Sequence, residues 1–495
     1  MRPLRRLVSS LELLSSALAA AAGLTPPLRS DIEHSSRPRC KAVPGSPGWP
    51  SPREWNGLNE SIAGRLVRPT PPGAVCHLGQ GADQSPECAA VREQWSTYEF
   101  HQADPVSVCW NNWTNDTCLP LPGAPCSGQG YPVFVINATE ARHVQLGVRF
   151  AKKHDIRLVV KSTGHDYVGR SVAPNSLSIW THHMRDIKTH ASFRPRGCET
   201  TIDSTAVTVG AGTQMWDLYS ALDLLNQTVV GGGAKSVSVG GYVTGAGHGL
   251  LSPTHGLAAD QVLEMELVTP NGDVVTANEC QNQDLFWAMR GGGGSTFGVL
   301  TSVTMKTFPT PRLEAATVML VTTDVAQPGP IFDMVAYVLS QFPSLADRGL
   351  SGYSLVVREM PNPADNGTTS VGGIIFDGVL QNSSPDAMRR LWDPIFARVD
   401  AAWPGRFAPV YRPRSHPTFL SWFAENFDSD EAGYDGADPE TPDWQHEFWG
   451  AHYERLRAIK RAVDPDDVLW CHPCVGNERW EQLGDRLCRV EGSYD

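Results

Sequence analysis

Several familiar catalytic signatures are missing from this 495-residue chain. It contains 46 glycines, yet no Gly-x-Gly-x-x-Gly, so the phosphate turn of a nicotinamide-binding Rossmann domain is absent. Neither Gly-x-Ser-x-Gly nor His-Glu-x-x-His occurs, which removes the simplest serine-hydrolase and zinc-protease readings. Positive charge is also short: 41 Lys and Arg face 53 Asp and Glu, a net charge of -12, and no basic stripe could neutralise the phosphates of a nucleic acid. Past the N-terminus, no run approaches the roughly 20 apolar residues that a membrane span needs.

What is present points to export. Arg2, Arg5 and Arg6 precede a mostly apolar run, interrupted by Glu12, that reaches small residues at Ala20-Ala21-Ala22-Gly23, the pattern of a signal peptide over residues 1–22. Seven Asn-x-Ser/Thr sequons, at Asn59, Asn112, Asn115, Asn137, Asn226, Asn366 and Asn382, fit a glycosylated secretory protein, with Asn112 and Asn115 too close for both to be used. Eleven cysteines suit an oxidising compartment, and their odd number leaves at least one outside any intrachain disulfide. Six of them fall before residue 127, in a Pro- and Gly-rich stretch (23–125 and its border) where disulfides are expected to supply order that a small core cannot.

The most informative segment is Lys161-Ser162-Thr163-Gly164-His165-Asp166-Tyr167-Val168-Gly169-Arg170-Ser171, which follows the strand-like run Ile156 to Val160. A glycine-bracketed turn lets backbone N–H groups approach a phosphate, and the histidine within it offers a nucleophilic ring nitrogen. Four further segments accompany it in order: Gly210-Ala211-Gly212, Val239-Gly240-Gly241-Tyr242-Val243-Thr244-Gly245-Ala246-Gly247-His248-Gly249, Gly256-Leu257-Ala258-Ala259-Asp260, and Asp284 to Gly298 with its run Gly291-Gly292-Gly293-Gly294.

This ordered set, covering roughly Tyr131 to Pro309, resembles the berberine bridge enzyme-like branch of the vanillyl-alcohol oxidase flavoproteins. The resemblance implies an α+β fold: a two-part PCMH-type FAD-binding domain (126–309, with 447–495 returning to it) and a separate substrate domain (310–446) built on an antiparallel sheet. It implies FAD bound through His165 to the flavin 8α carbon, with Ser162, Thr163, Gly164, Asp166, Gly169, Ser171, Gly240, Gly241, Gly245, Gly247 and Val299 around the cofactor. Relatives with a second link carry a cysteine before the Val-x-Val-Gly-Gly segment; Ala234 stands there, so a single link is expected. The implied reaction moves a hydride from a small organic substrate to FAD, which oxygen reoxidises. A secondary metabolite is the favoured substrate, with an extracellular carbohydrate oxidase and a non-catalytic flavin-binding protein as alternatives.

Other candidates keep more than one reading. Tyr167 is a core aromatic, a loop brace, or the pocket phenol that takes the substrate proton; Tyr434 and Asp435 are further proton acceptors from the substrate-domain side. His248 reads as a structural residue of a glycine loop that runs from Gly240 to Gly249. His182 and His183, adjacent on a strand-like run, point to opposite faces and do not chelate together, and no metal site is expected. Cys471-His472-Pro473-Cys474 reads as a structural disulfide or as two thiols near the flavin. Relatives show Asn-Glu where this chain has Asp435-Gly436, which weakens the transfer of pocket contacts there.

Overall fold

The computed structural model describes residues 40–79, 81–323, 329–362, 369–426 and 443–490. The signal-peptide segment 1–22, the sequon at Asn366, and Tyr434, Asp435 and Gly436 lie outside the described residues.

The fold is α+β, and two sheets frame residues 66–306. In the first, strands β1 (Leu66–Val67), β2 (Phe134–Asn137), β3 (Leu158–Lys161) and β4 (Leu177–Trp180) lie in the order β1-β2-β4-β3, with the last three parallel. The parallel register needs a crossover, supplied by the helix Ala141–His154. Its buried Val144, Val148 and Ala151 pack on Ile136, Leu158, Leu177 and Ile179. Gly147 permits the contact, since a Cβ there would come within 2.6 Å of Ile136 Cδ1. Residues 40–67 join this layer despite the irregular composition around them: β1 pairs antiparallel with β2, and the helix Pro52–Ser61, capped by Ser51 and Glu54, buries Trp55 and Leu58 in the same core.

The second sheet is antiparallel, in the order β5-β6-β10-β8-β9, from β5 (Ile187–His190), β6 (Ala206–Gly210), β8 (Val262–Val268), β9 (Val274–Asn278) and β10 (Val299–Lys306). A short ladder, β7 (Gln227–Thr228) with β11 (Phe308–Pro309), leads out of it.

The remaining large sheet has the order β13-β14-β12-β15, all antiparallel, from β12 (Leu313–Thr322), β13 (Leu350–Pro361), β14 (Ser370–Gln381) and β15 (Phe407–His416). Period-2 alternation splits its faces. Ala316, Val318, Leu320, Ile374 and Phe376 pack on the helices Ile331–Asp347 and Pro385–Ala402. Pro409 and Pro413 stand on β15, an edge strand, where a missing N–H costs no interior ladder bond. The C-terminal segment sends Leu456, Ile459 and Val475 into the core of the glycine-rich region and Val468 and Leu469 into the first-sheet core, and ends in the hairpin β16 (Trp480–Leu483) and β17 (Arg486–Arg489).

Five disulfides form: Cys40–Cys488, Cys76–Cys88, Cys118–Cys126, Cys198–Cys280 and Cys471–Cys474, leaving Cys109 outside them. Of the two readings of Cys471 and Cys474, the disulfide holds. Two local expectations are corrected. His182 and His183 follow β4 in a turn instead of sitting on a strand, with His182 buried and His183 exposed. The glycine stretch after Ser238 opens as a short helix, Val239–Thr244, before the loop 245–249, because Gly240 can press against Ala211 where a Cβ would meet its carbonyl oxygen at 2.8 Å. Among the described residues no helix is long and apolar enough to cross a membrane.

Candidate active site

A cavity of about 1320 Å³ lies between the glycine segments and the helix-free face of the β13-β14-β12-β15 sheet. This exceeds the ~300–1,000 Å³ of a site for one small ligand and leaves room for a cofactor and a substrate together.

His165 lines the cavity with its imidazole buried. Burial, and then the charge of Lys161, depress its pKa to about 3, so the ring is neutral at ordinary pH. Its Nε2 lies 2.8 Å from Ser236 Oγ, Tyr98 packs on the ring at 4.9 Å, and Nδ1 is buried without a hydrogen-bond partner. Proton donation from Nε2 to Ser236 leaves Nδ1 with its lone pair, the state needed for attack on an electrophilic carbon. Beneath the turn, Lys161 is fully buried, with its pKa lowered to about 8 by desolvation, and it donates to the carbonyls of His101, Gln102 and Asp104.

Twelve of the thirteen residues expected at the site line this cavity: Ser162, Thr163, Gly164, His165, Asp166, Tyr167, Ser171, Gly240, Gly241, Gly245, Gly247 and Val299. Gly164 and Gly247 sit at φ +85° and +69°, where a side chain would be strained. Ser162 Oγ is buried and unpartnered, like His165 Nδ1. Asp166 spends its carboxylate on its own loop, accepting from the Arg170 backbone N–H at 2.6 Å and from the guanidinium. Gly169 does not line the cavity; it lies against Trp113, where a Cβ would come within 2.4 Å of the indole. Trp113 Nε1 in turn donates to the Tyr167 carbonyl at 2.9 Å, and the Tyr167 ring packs on Trp110 at 4.6 Å. His248 is in a loop, as expected, but it also lines the cavity, and its Nδ1 is 3.5 Å from Tyr353 Oη on the opposite wall. Ala234 is buried on the cavity wall.

Several lining residues carried no signal in the sequence. Tyr98 reaches His165 from far upstream, and Tyr353, Asp377, Arg412 and Arg414 come together only through strand register. Trp449, from the C-terminal part, reaches Gly291 with an Nε1 bond of 3.3 Å to its carbonyl.

Residues 132–278 match the family described as FAD binding domain, and residues 426–476 that described as berberine and berberine like. The chain is 31% identical to an uncharacterised FAD-linked oxidoreductase of Arthroderma benhamiae, over 89% of this chain and 94% of that protein. It is 29% identical to the FAD-linked oxidoreductase patO of Aspergillus clavatus, over 92% and 95%. The crystal structure of the VAO-type flavoprotein MtVAO615 from Myceliophthora thermophila C1 superposes with a TM-score of 0.78 at 25% identity, covering 91% of this chain and all of that one. The chain belongs to the berberine bridge enzyme-like FAD-linked oxidoreductases of the vanillyl-alcohol oxidase family. It is an FAD-dependent oxidoreductase acting on a small molecule. The cavity fits that cofactor: two orphaned polar atoms, Ser162 Oγ and His165 Nδ1, and a wall of glycines allow close approach of a large polar group.

Proposed function

We propose that this protein is a secreted, glycosylated oxidase of a small secondary metabolite and that His165 Nδ1 holds FAD by a single bond to the flavin 8α carbon. The observation that carries the reading is the state of His165: neutral, buried, with Nε2 held by Ser236 and Nδ1 without a partner on the wall of the large cavity. Ala234, at the place where doubly linked relatives carry cysteine, supports one bond and not two. Bound FAD supplies a hydride acceptor whose electrons pass to oxygen to give hydrogen peroxide. The protein's share is to retain that group and to order the pocket: Ser162, Thr163, Gly164 and the 240–249 stretch hold its phosphates, Gly169 and Trp113 fix the turn, and Val299 packs beside it. Tyr167 takes the proton from the substrate, braced by Trp110 and Trp113. A second assignment of that proton is to Tyr353, favoured by its approach to His248.

The test is the fate of the flavin on denaturation. Wild-type protein stays yellow after acid precipitation, and the flavin maps to the peptide containing His165; His165→Ala releases FAD to the supernatant or yields apoprotein. Flavin on a cysteine, or released intact from wild type, refutes the single histidyl bond.

A further inference from the structure

The sheet wall of the cavity carries, beyond Tyr353, chemistry that the reading above leaves unused. Tyr353 pairs in register with Asp377, Asp377 with Thr317, and Thr317 with Arg412. Four polar side chains therefore form one row across all four strands, and all four line the cavity. The rows to either side are different: Ala316, Val318, Phe376 and their neighbours turn to the helices and build an apolar core.

Among the described residues, four of the Asp, Glu and Arg side chains lining the cavity sort into ion pairs and two, Asp377 and Arg412, do not. Asp166 is bonded to Arg170, and Arg414 meets Glu425 at 3.3 Å and Asn426 at 3.3 Å. Asp377 accepts from the Thr317 hydroxyl. Among the described residues the side chain of Arg412, an exposed residue, has neither a hydrogen bond nor an ion pair, and its in-register neighbour is an uncharged threonine. Asp377 lies two strands away, roughly 10 Å at the usual strand spacing, too far to neutralise it directly. A cation on an edge strand often serves only to discourage sheet-to-sheet pairing. That role does not call for a place on the cavity face, in line with a carboxylate and a phenol.

We propose that Arg412 anchors a carboxylate of the substrate and that Asp377 receives a hydroxyl or ammonium donor from the same molecule, so that the substrate is a small hydroxy- or amino-carboxylic acid. The planar guanidinium fork matches a carboxylate with two parallel N–H donations, and a chain of net charge -12 offers an anion little general attraction, so recognition must be local. The inference rests on the reading of this cavity as the cofactor and substrate site.

Benzoate and benzamide, alike in shape and different in charge, are the probes. They are titrated at pH 7 and low salt into the purified holoprotein, by calorimetry and by perturbation of the visible flavin spectrum. Benzoate is expected to bind about tenfold tighter or more, the range for a charge-assisted hydrogen bond. Arg412→Gln brings the two probes to within about twofold, Arg412→Lys keeps part of the gap, and added salt weakens benzoate alone. Benzoate binding no tighter than benzamide in wild type, including no binding of either, or an unchanged gap in Arg412→Gln, overturns the proposal. Protein purified without flavin would instead count against the function proposed above, while calorimetry would still read the anion preference.

Discussion

Tyr167 and Tyr353 face the same cavity from opposite walls, and their supports differ. Tyr167 is pinned through its backbone carbonyl by Trp113 and through its ring by Trp110, an arrangement that fixes where the phenol points. Tyr353 stands on an open sheet face beside His248. If Tyr167 accepts or relays the substrate proton, Tyr167→Phe keeps the bound-flavin spectrum while anaerobic flavin reduction slows by at least about tenfold, the low end reflecting bypass through water. Tyr353→Phe then leaves the reduction rate within about twofold. The reverse pattern, measured by stopped-flow at saturating substrate, moves the proton acceptor to the Tyr353 and His248 pair and leaves Tyr167 a packing residue. The turn that presents His165 was legible from residues 161–171 alone, because glycine, histidine and the Asp166 to Arg170 clasp are all local. Ser236 was not legible as the partner of His165, since nothing in a serine 71 residues downstream announces that contact.

At the scale of elements, the sequons show what local reading misses. Each Asn-x-Ser/Thr is equal as a string, yet the folded chain separates them. Asn112, Asn115, Asn226 and Asn382 are exposed, Asn382 while accepting from the Arg312 N–H at 3.1 Å, whereas Asn59 and Asn137 are half-buried, Asn59 accepting from the Leu66 N–H at 3.0 Å and Asn137 lying 2.7 Å from His183 Nδ1. Asn137 also belongs to β2, a strand paired on both sides. Expression through a secretory pathway should therefore place glycans on Asn226, on Asn382 and on one of Asn112 and Asn115, with Asn137 unmodified; peptide mapping after enzymatic deglycosylation in heavy water reads each site. A glycan on Asn137 in the folded product contradicts the geometry. The same distinction explains which elements could be foreseen. The helix Ala141–His154 and its flanking strands follow from apolar periodicity within the segment, and so does β12. The partners of β12 do not, because antiparallel register between β14, β12 and β15 depends on loops and on a shared apolar face that no single strand encodes.

For the whole molecule, the histidines set a direction for its response to acid. Nine of them, His101, His143, His154, His165, His182, His183, His190, His255 and His416, have pKa values lowered first by burial, with His165 and His182 down to about 3. Arg185 adds to the effect at His182, its guanidinium lying against the ring. A histidine kept neutral in the fold but free to protonate near pH 6.5 when unfolded makes the unfolded chain the better proton acceptor below that pH. Stability therefore falls as the pH drops from about 6.5 toward the folded-state values, and the histidines act in the same sense. Lys161 works at the alkaline end: lowered to about 8 from 10.5, it makes the fold more stable as pH rises between those values, until the raised pKa values of buried Tyr219 and half-buried Tyr242 reverse the trend above 10. The melting temperature should accordingly be lower at pH 5 than at pH 7, with net proton uptake on unfolding, and His182→Gln should flatten part of that slope. Scanning calorimetry in buffers of different ionisation enthalpy measures both; a melting temperature at pH 5 equal to or above that at pH 7, or proton release on unfolding in this range, would show that the buried imidazoles do not govern the acid response.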